Sequence, residues 1–81
     1  MAKLHYTNHA KERMKQRHIS REEVEACLEH PDTTYPSRDD IDCVNHVRTL
    51  ESGRIIRVVL NKKTGNIVTV MVQEIEEGRG L

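Results

Sequence analysis

Apolar positions in the first third of the chain recur at helical spacing, and those in the second half alternate. The pattern therefore predicts two helices followed by strands. Ala10 and Met14 give a narrow apolar stripe to a helix that opens after Thr7 or Asn8, both good N-caps, and runs to about His18. Ser20 and Glu23 then form a capping box, with Ile19 and Val24 at the flanking positions of a hydrophobic staple. Val24, Cys27 and Leu28 form the buried stripe of this second helix. His30-Pro31-Asp32 ends it, because the residue before a proline resists the helical region. His18 is the only interior residue of a very short connection, so the two helices should form an αα-hairpin.

Lys3–Tyr6 alternates weakly and reads as a short strand, and Thr33–Pro36 reads as an edge strand. Asp42–Leu50 alternates, Glu51-Ser52-Gly53 turns, and Arg54–Leu60 is rich in the β-branched residues that suit a pleated surface. Asn61 to Gly65 is a second turn, with Gly65 suited to a left-handed position. Ile67–Gln73 is the last strand, and the tail Glu74–Leu81 lacks periodicity and reads as a frayed end. Residues 1–73 are thus expected to form a single α+β domain. Its helical hairpin packs on a three- to five-stranded antiparallel sheet in the order (β)ααββββ.

Composition narrows this picture. A chain of 81 residues without Phe or Trp builds its core from Val, Ile, Leu, Met and Ala. A chain this short buries only about 60 % of its unfolded surface, and such a thin core favours a homodimer or docking on a partner. No apolar run approaches the roughly 20 residues of a membrane span, and no signal segment opens the chain. Cys27 and Cys43 lie far apart and match no redox or metal pair, which suits a reducing cytosol and a cytoplasmic protein. His5-x-x-x-His9 and Cys27-x-x-His30 each lack a second pair of ligands, so neither a metal site nor a cofactor is expected. Nor is there a Ser-His-Asp pattern, a phosphate-cradling Gly loop or a dinucleotide fingerprint.

Net charge is zero, yet charge is segregated. Residues 3–21 carry six Lys or Arg against Glu12, and residues 22–42 carry eight acids against Arg38. Residues 43–73 carry five bases against Glu51. A neutral total is unlike a general nucleic-acid binder, but a local basic cleft can still focus a polyanion. On the first helix, Arg13 and Arg17 follow His9 at about 40° and about 80° around the axis, while Ala10 and Met14 fall at about 100° and about 140°. The row His9, Arg13, Arg17 therefore sits on the shoulder between core and solvent. Arg presents a planar fork of donors that matches phosphate oxygens, and His moves protons near neutrality. The row fits phosphodiester recognition or cleavage. It equally fits arginines paired with acids of the second helix or the sheet, with His9 packing or capping.

A second cluster depends on strand register. If Ser52-Gly53 closes a two-residue hairpin, Arg48 sits opposite Arg57 and His46 opposite Val59. Two opposed arginines repel unless an anion lies between them, so His46, Arg48 and Arg57 would form a phosphate-binding face. A slip of one residue would place them on opposite faces.

The stretch His9-Ala10-Lys11-Glu12-Arg13-Met14-Lys15-Gln16-Arg17-His18-Ile19-Ser20 resembles the HAxxRMxxRxIS signature of a widespread prokaryotic domain-of-unknown-function family. The resemblance covers roughly residues 5–73, through the acidic helix ending at Pro31 and the two apolar strands around Gly65. That family is similar in element order to the RelE, ParE and BrnT toxins, compact metal-independent ribonucleases and related toxins. The resemblance implies a RelE-like fold and an endoribonuclease toxin that cleaves RNA by attack of a 2′-hydroxyl on the adjacent phosphate. It implies RNA and a cognate antitoxin or other protein as partners. His9 would transfer the proton, and Arg13, Arg17, Arg48 and Arg57 would neutralise developing charge. The neutral total charge and the lack of a basic aromatic C-terminal segment depart from such toxins. They leave a non-catalytic protein- or nucleic-acid-binding domain as the alternative.

Overall fold

Thr7 turns an extended chain into a helix. Its hydroxyl accepts from the Ala10 N–H and donates to the Ile67 carbonyl at 2.9 Å, so one side chain both caps the helix and ties it to the last strand. The computed structural model describes residues 4–73; the tail at Glu74–Leu81 and Lys3 of the expected first strand lie outside them. The helix so started, α1 (Asn8–Arg17), ends with His18 in the left-handed region at φ 57°. The His18 N–H bonds the Lys15 carbonyl, and the Ile19 N–H bonds the Met14 carbonyl at 2.9 Å. Together these bonds make a Schellman motif, with the expected apolar contact between Ile19 and Met14. Ser20 then caps α2 (Arg21–Glu29), and both halves of its capping box form, at 2.9 and 3.1 Å. Ile19 and Val24, the staple pair, are both buried.

The strands are β1 (His5–Tyr6), β2 (Thr33–Pro36), β3 (Cys43–Thr49), β4 (Ile55–Asn61) and β5 (Asn66–Gln73). They form one sheet in the order β1-β5-β4-β3-β2, so the α+β arrangement is the expected βααββββ with all five strands present. The sheet is not wholly antiparallel, because β1 runs parallel to β5. No tight turn joins these two strands, so nothing forces them to oppose, and the helical hairpin serves as part of a long crossover.

Sheet pleating divides the strand residues between two faces. Ile56 and Val58 of β4, with Ile67 and Val70 of β5, pack against Ala10, Met14, Ile19, Val24 and Cys27. α1 lies against β5, while α2 lies against β3 and β4. The alternating residues, Arg57 and Val59 among them, face away from the helices.

The β3–β4 turn corrects the expected register. The Gly53 N–H bonds the Leu50 carbonyl at 2.9 Å, the Leu50 N–H bonds the Arg54 carbonyl at 2.7 Å, and Gly53 has φ 94°. The loop therefore holds three residues, 51–53, in a type I turn closed by a left-handed glycine, rather than two. One extra loop residue shifts the pairing by one. Arg48 faces Ile56, His46 faces Val58 and Val47 faces Arg57. The opposed pair Arg48/Arg57 does not form, and the two arginines lie on opposite faces of the sheet. At the other hairpin Gly65 takes the expected left-handed conformation, φ 80°, and the Asn61 side chain accepts from the Lys63 and Thr64 N–H groups.

Two substitutions test the hairpin. His18→Gly removes the steric cost of a left-handed non-glycine residue and should raise stability by about 1 kcal/mol. In a thermal melt this would shift Tm upward by about 4–8 °C. Ile19→Ala should cost about 2–4 kcal/mol, seen as a lower denaturant midpoint.

Candidate functional site

The first helix and the last strand build a groove between them. β1 pairs with β5 only at Asn66 and Ile67, so the remainder of that edge of β5 has no strand partner among the described residues. α1 anchors on the helix face through Ala10 and Met14, 0 % and 8 % exposed. That anchoring turns His9, Arg13 and Arg17, spaced one turn apart, toward the free part of β5. All three line a groove of about 220 Å³ whose other wall is Thr69, Val70, Met71 and Val72. The helical spacing places all three on the shoulder between core and solvent; in the structure Arg13 alone is half-buried there, and His9 and Arg17 are exposed.

The strand residues of the expected phosphate site are dispersed. Arg48 lies on the helix face, where its guanidinium donates to the His30 carbonyl at 2.6 Å. A cation on the carbonyl of His30, the residue that caps the C-terminus of α2, meets the negative end of the helix dipole. His46 shares that face, half-buried, and its carbonyl accepts from the Cys27 thiol at 3.2 Å. Its ring Nδ1 is buried without a hydrogen-bond partner. Arg54 caps the other helix, reaching the His18 carbonyl at 3.4 Å. Arg57 stands on the opposite face, held by the Tyr35 hydroxyl at 3.2 Å and the Met71 sulfur at 2.8 Å. Met71 also lines the α1–β5 groove. Of the strand set, only Arg57 therefore approaches the helix row, around the edge of β5.

A match to the family described as Domain of unknown function (DUF4258) spans residues 6–72. The chain belongs to the DUF4258 family. No curated protein and no solved structure matches it significantly. The DUF4258 region contains the whole helix row, the free edge of β5 and Arg57.

The remaining candidates of this DUF4258 domain are placed by the same geometry. His5 sits in β1 and His9 in α1, so their spacing is not that of one helix face. Among the described residues, no three His, Cys, Asp or Glu side chains are grouped to hold a metal ion. No described helix is long and apolar enough to cross a membrane. Sequence reasoning missed Asn45 and Thr69, both buried on the face away from the helices. Asn45 carried a signal, a polar residue in phase with Cys43. Thr69 carried none, since threonine is ordinary filler in a β-branched strand.

Cys27 is core rather than nucleophile. Burial pushes its thiol up to about 11, and a backbone hydrogen bond at Val58 and the charge of Arg48 only partly offset this. Between the ordinary value of 9.0 and about 11, the unfolded thiol ionises while the folded one stays protonated, so stability falls as pH rises through that window. Cys43 and Tyr6 are also raised, chiefly by burial, and act in the same direction. Urea midpoints measured from pH 8 to pH 11 should therefore decline in the wild type and decline less steeply in Cys27→Ala.

Proposed function

We propose that this DUF4258 domain acts on RNA, binding the phosphodiester backbone in the groove between α1 and β5 and cleaving it there. The observation that carries the reading is that His9, Arg13 and Arg17 line one groove against a strand edge that has no strand partner among the described residues. Arg48 and Arg54 already serve helix carbonyls, whereas Arg13 and Arg17 stand with His9 along one groove. In the cleavage step, His9 takes the proton from a ribose 2′-hydroxyl. The 2′ oxygen forms a bond to the adjacent phosphorus as the bond from phosphorus to the 5′ oxygen breaks. The products are a 2′,3′-cyclic phosphate and a 5′-hydroxyl, which takes its proton from water. Arg13 and Arg17 hold the non-bridging oxygens and stabilise the charge that builds on them. Half-burial of Arg13 fixes its fork relative to the helix, and the exposure of His9 leaves its ring able to reach the sugar.

A second reading rests on the same lining. His9 is the one histidine among the residues that line that groove. A groove with a single proton carrier and two arginines is also complete as a binding surface for RNA, or for an acidic protein partner such as an antitoxin.

Incubation of the purified protein with RNA in EDTA separates the two readings. The nuclease reading expects cleavage that falls by about 10²-fold or more in His9→Ala. A loss of similar size is expected in Arg13→Ala. Binding without cutting selects the second reading. Failure to cut or bind any RNA, with no effect on growth when expressed, overturns the proposal. If RNA binds, removing Arg13 should flatten the salt dependence of the binding constant by about one phosphate contact.

A further inference from the structure

The face of the sheet turned away from both helices contains a second, larger groove. Cys43, Asn45, Val59 and Thr69 on this face are all at least nine-tenths buried, although neither helix covers them. The loop between β2 and β3 borders the same groove as these residues. It is held by the Ser37 N–H on the Cys43 carbonyl, the Cys43 N–H on the Asp40 carbonyl and the Lys62 N–H on the Asp42 carbonyl, at 2.8–3.0 Å. The result is a groove of about 630 Å³ running from that loop across β3 and β4 to Met71. Pockets of roughly 300–1,000 Å³ are of the size that takes a small molecule.

The chemistry of its lining is polarised. On β4, Arg57 is half-buried, and both partners of its guanidinium, the Tyr35 hydroxyl and the Met71 sulfur, are neutral. Its Nε is buried without a partner among the described residues, as is the Thr69 hydroxyl. A cation in such surroundings favours a bound anion, because its charge is only partly solvated and no carboxylate among those partners compensates it. The loop contributes Arg38, Asp39 and Asp40 to the lining, and the Asp40 carboxylate accepts from the Asp42 N–H at 2.9 Å. Asn45 lies among the groove residues, donating only a long 3.5 Å hydrogen bond to the Tyr35 carbonyl. A bare anion would leave the acceptor-rich loop unused. A ligand that carries a phosphate and also hydrogen-bond donors uses the whole groove.

We infer that this open-face groove is a nucleotide-binding site, with the phosphate on Arg57 and the Thr69 hydroxyl and an amino-bearing base near Asn45, Asp39 and Asp40. The Tyr35 ring, 40 % exposed, offers a partial stacking surface for the base. The nucleotide is either free or one unit of a strand, since both present the same phosphate and base. The site does not depend on nuclease activity at the helix row. Met71 and Thr69 line both grooves, so a strand seated along α1 reaches Arg57 by rounding β5.

Titration of the isotope-labelled protein with adenosine monophosphate, uridine monophosphate, inorganic phosphate and a diadenosine RNA dinucleotide tests this by NMR. Saturable shifts at Asn45, Arg57 and Thr69 are expected with adenosine monophosphate. Binding should be weaker for uridine monophosphate, which lacks the exocyclic amine, and weakest for phosphate. Arg57→Gln and Asn45→Ala should each weaken binding by at least tenfold, whereas Lys15→Gln, which removes a charge outside both grooves, should not. Tighter binding of the dinucleotide assigns the site to a strand, and tighter binding of the mononucleotide assigns it to a free ligand. Wild-type protein that shows no saturable shift on this face at millimolar adenosine monophosphate overturns the inference, as do shifts confined to α1. Open-face shifts without RNA cleavage would leave this site standing and remove the nuclease reading. Cleavage that depends on Arg13, without open-face shifts, would do the reverse.

Discussion

Ile19 is the residue on which the arrangement turns, because it closes one helix and opens the next. As the second residue past α1 it completes the Schellman motif through the Met14 carbonyl, and as the residue before Ser20 it forms the staple with Val24. Its side chain lies in one buried cluster with Met14 of α1 and Val24 of α2, so a single apolar residue links the connection between the helices to the core. The cost is borne by His18, which must adopt φ 57° for the chain to turn so sharply. Arg54 supports the turn from the sheet by taking the His18 carbonyl. With α1 fixed in this way, its shoulder has only one place to face. The row His9, Arg13, Arg17 lies along β5 because Ile19, Met14 and Ala10 are committed to the core.

The helical hairpin was legible in the sequence because each of its signals is local. A capping box, a staple and a proline act within a few residues, and all three appear as read. The strands were also placed to within a residue or two, since β-branched alternation is itself local. Register was not legible in the same way. Glu51-Ser52-Gly53 supports either a two-residue or a three-residue loop, and the choice rests on whether the Gly53 N–H closes on Leu50, which composition does not reveal. That single hydrogen bond decides whether Arg48 and Arg57 share a face. The direction of β1 was equally hidden, because two residues of pairing, His5 with Asn66 and Tyr6 with Ile67, leave no periodic trace.

The segregation of charge along the chain acquires a physical meaning once the faces are known. Two of the strand arginines, Arg48 and Arg54, are spent on the carbonyl ends of α2 and α1, where they complement the helix dipoles. They are structural cations on the face that carries the core. The arginine that the register places on the other face, Arg57, meets only neutral partners. The sheet thus separates its arginines by task. Those in phase with Ile56 and Val58 hold the helices, and the one in phase with Val59 stands in an open groove.

This separation also bears on how a small core tolerates polar surface. Asn45 and Thr69 are buried beside Val59 on a face without helices, which would be unfavourable if that face were only a surface to be shielded from water. A hydrophobic residue at position 69 would pack as well against Val59 and leave no hydroxyl without a partner. The Thr69 hydroxyl and the Arg57 Nε, both buried and both unpaired, lie on neighbouring strands of one face. Stability alone gives no reason to retain either, since each carries a desolvation cost that an apolar replacement would remove. A ligand that brings its own acceptors gives both a reason. The helix face turns its arginines to helix carbonyls and buries an apolar interior, yet it too holds polar atoms without a partner among the described residues, the His46 Nδ1 and the Arg54 Nε. The two faces therefore differ in what covers them: the helices close over one, the other carries an open groove, and β5 is the boundary shared by both grooves.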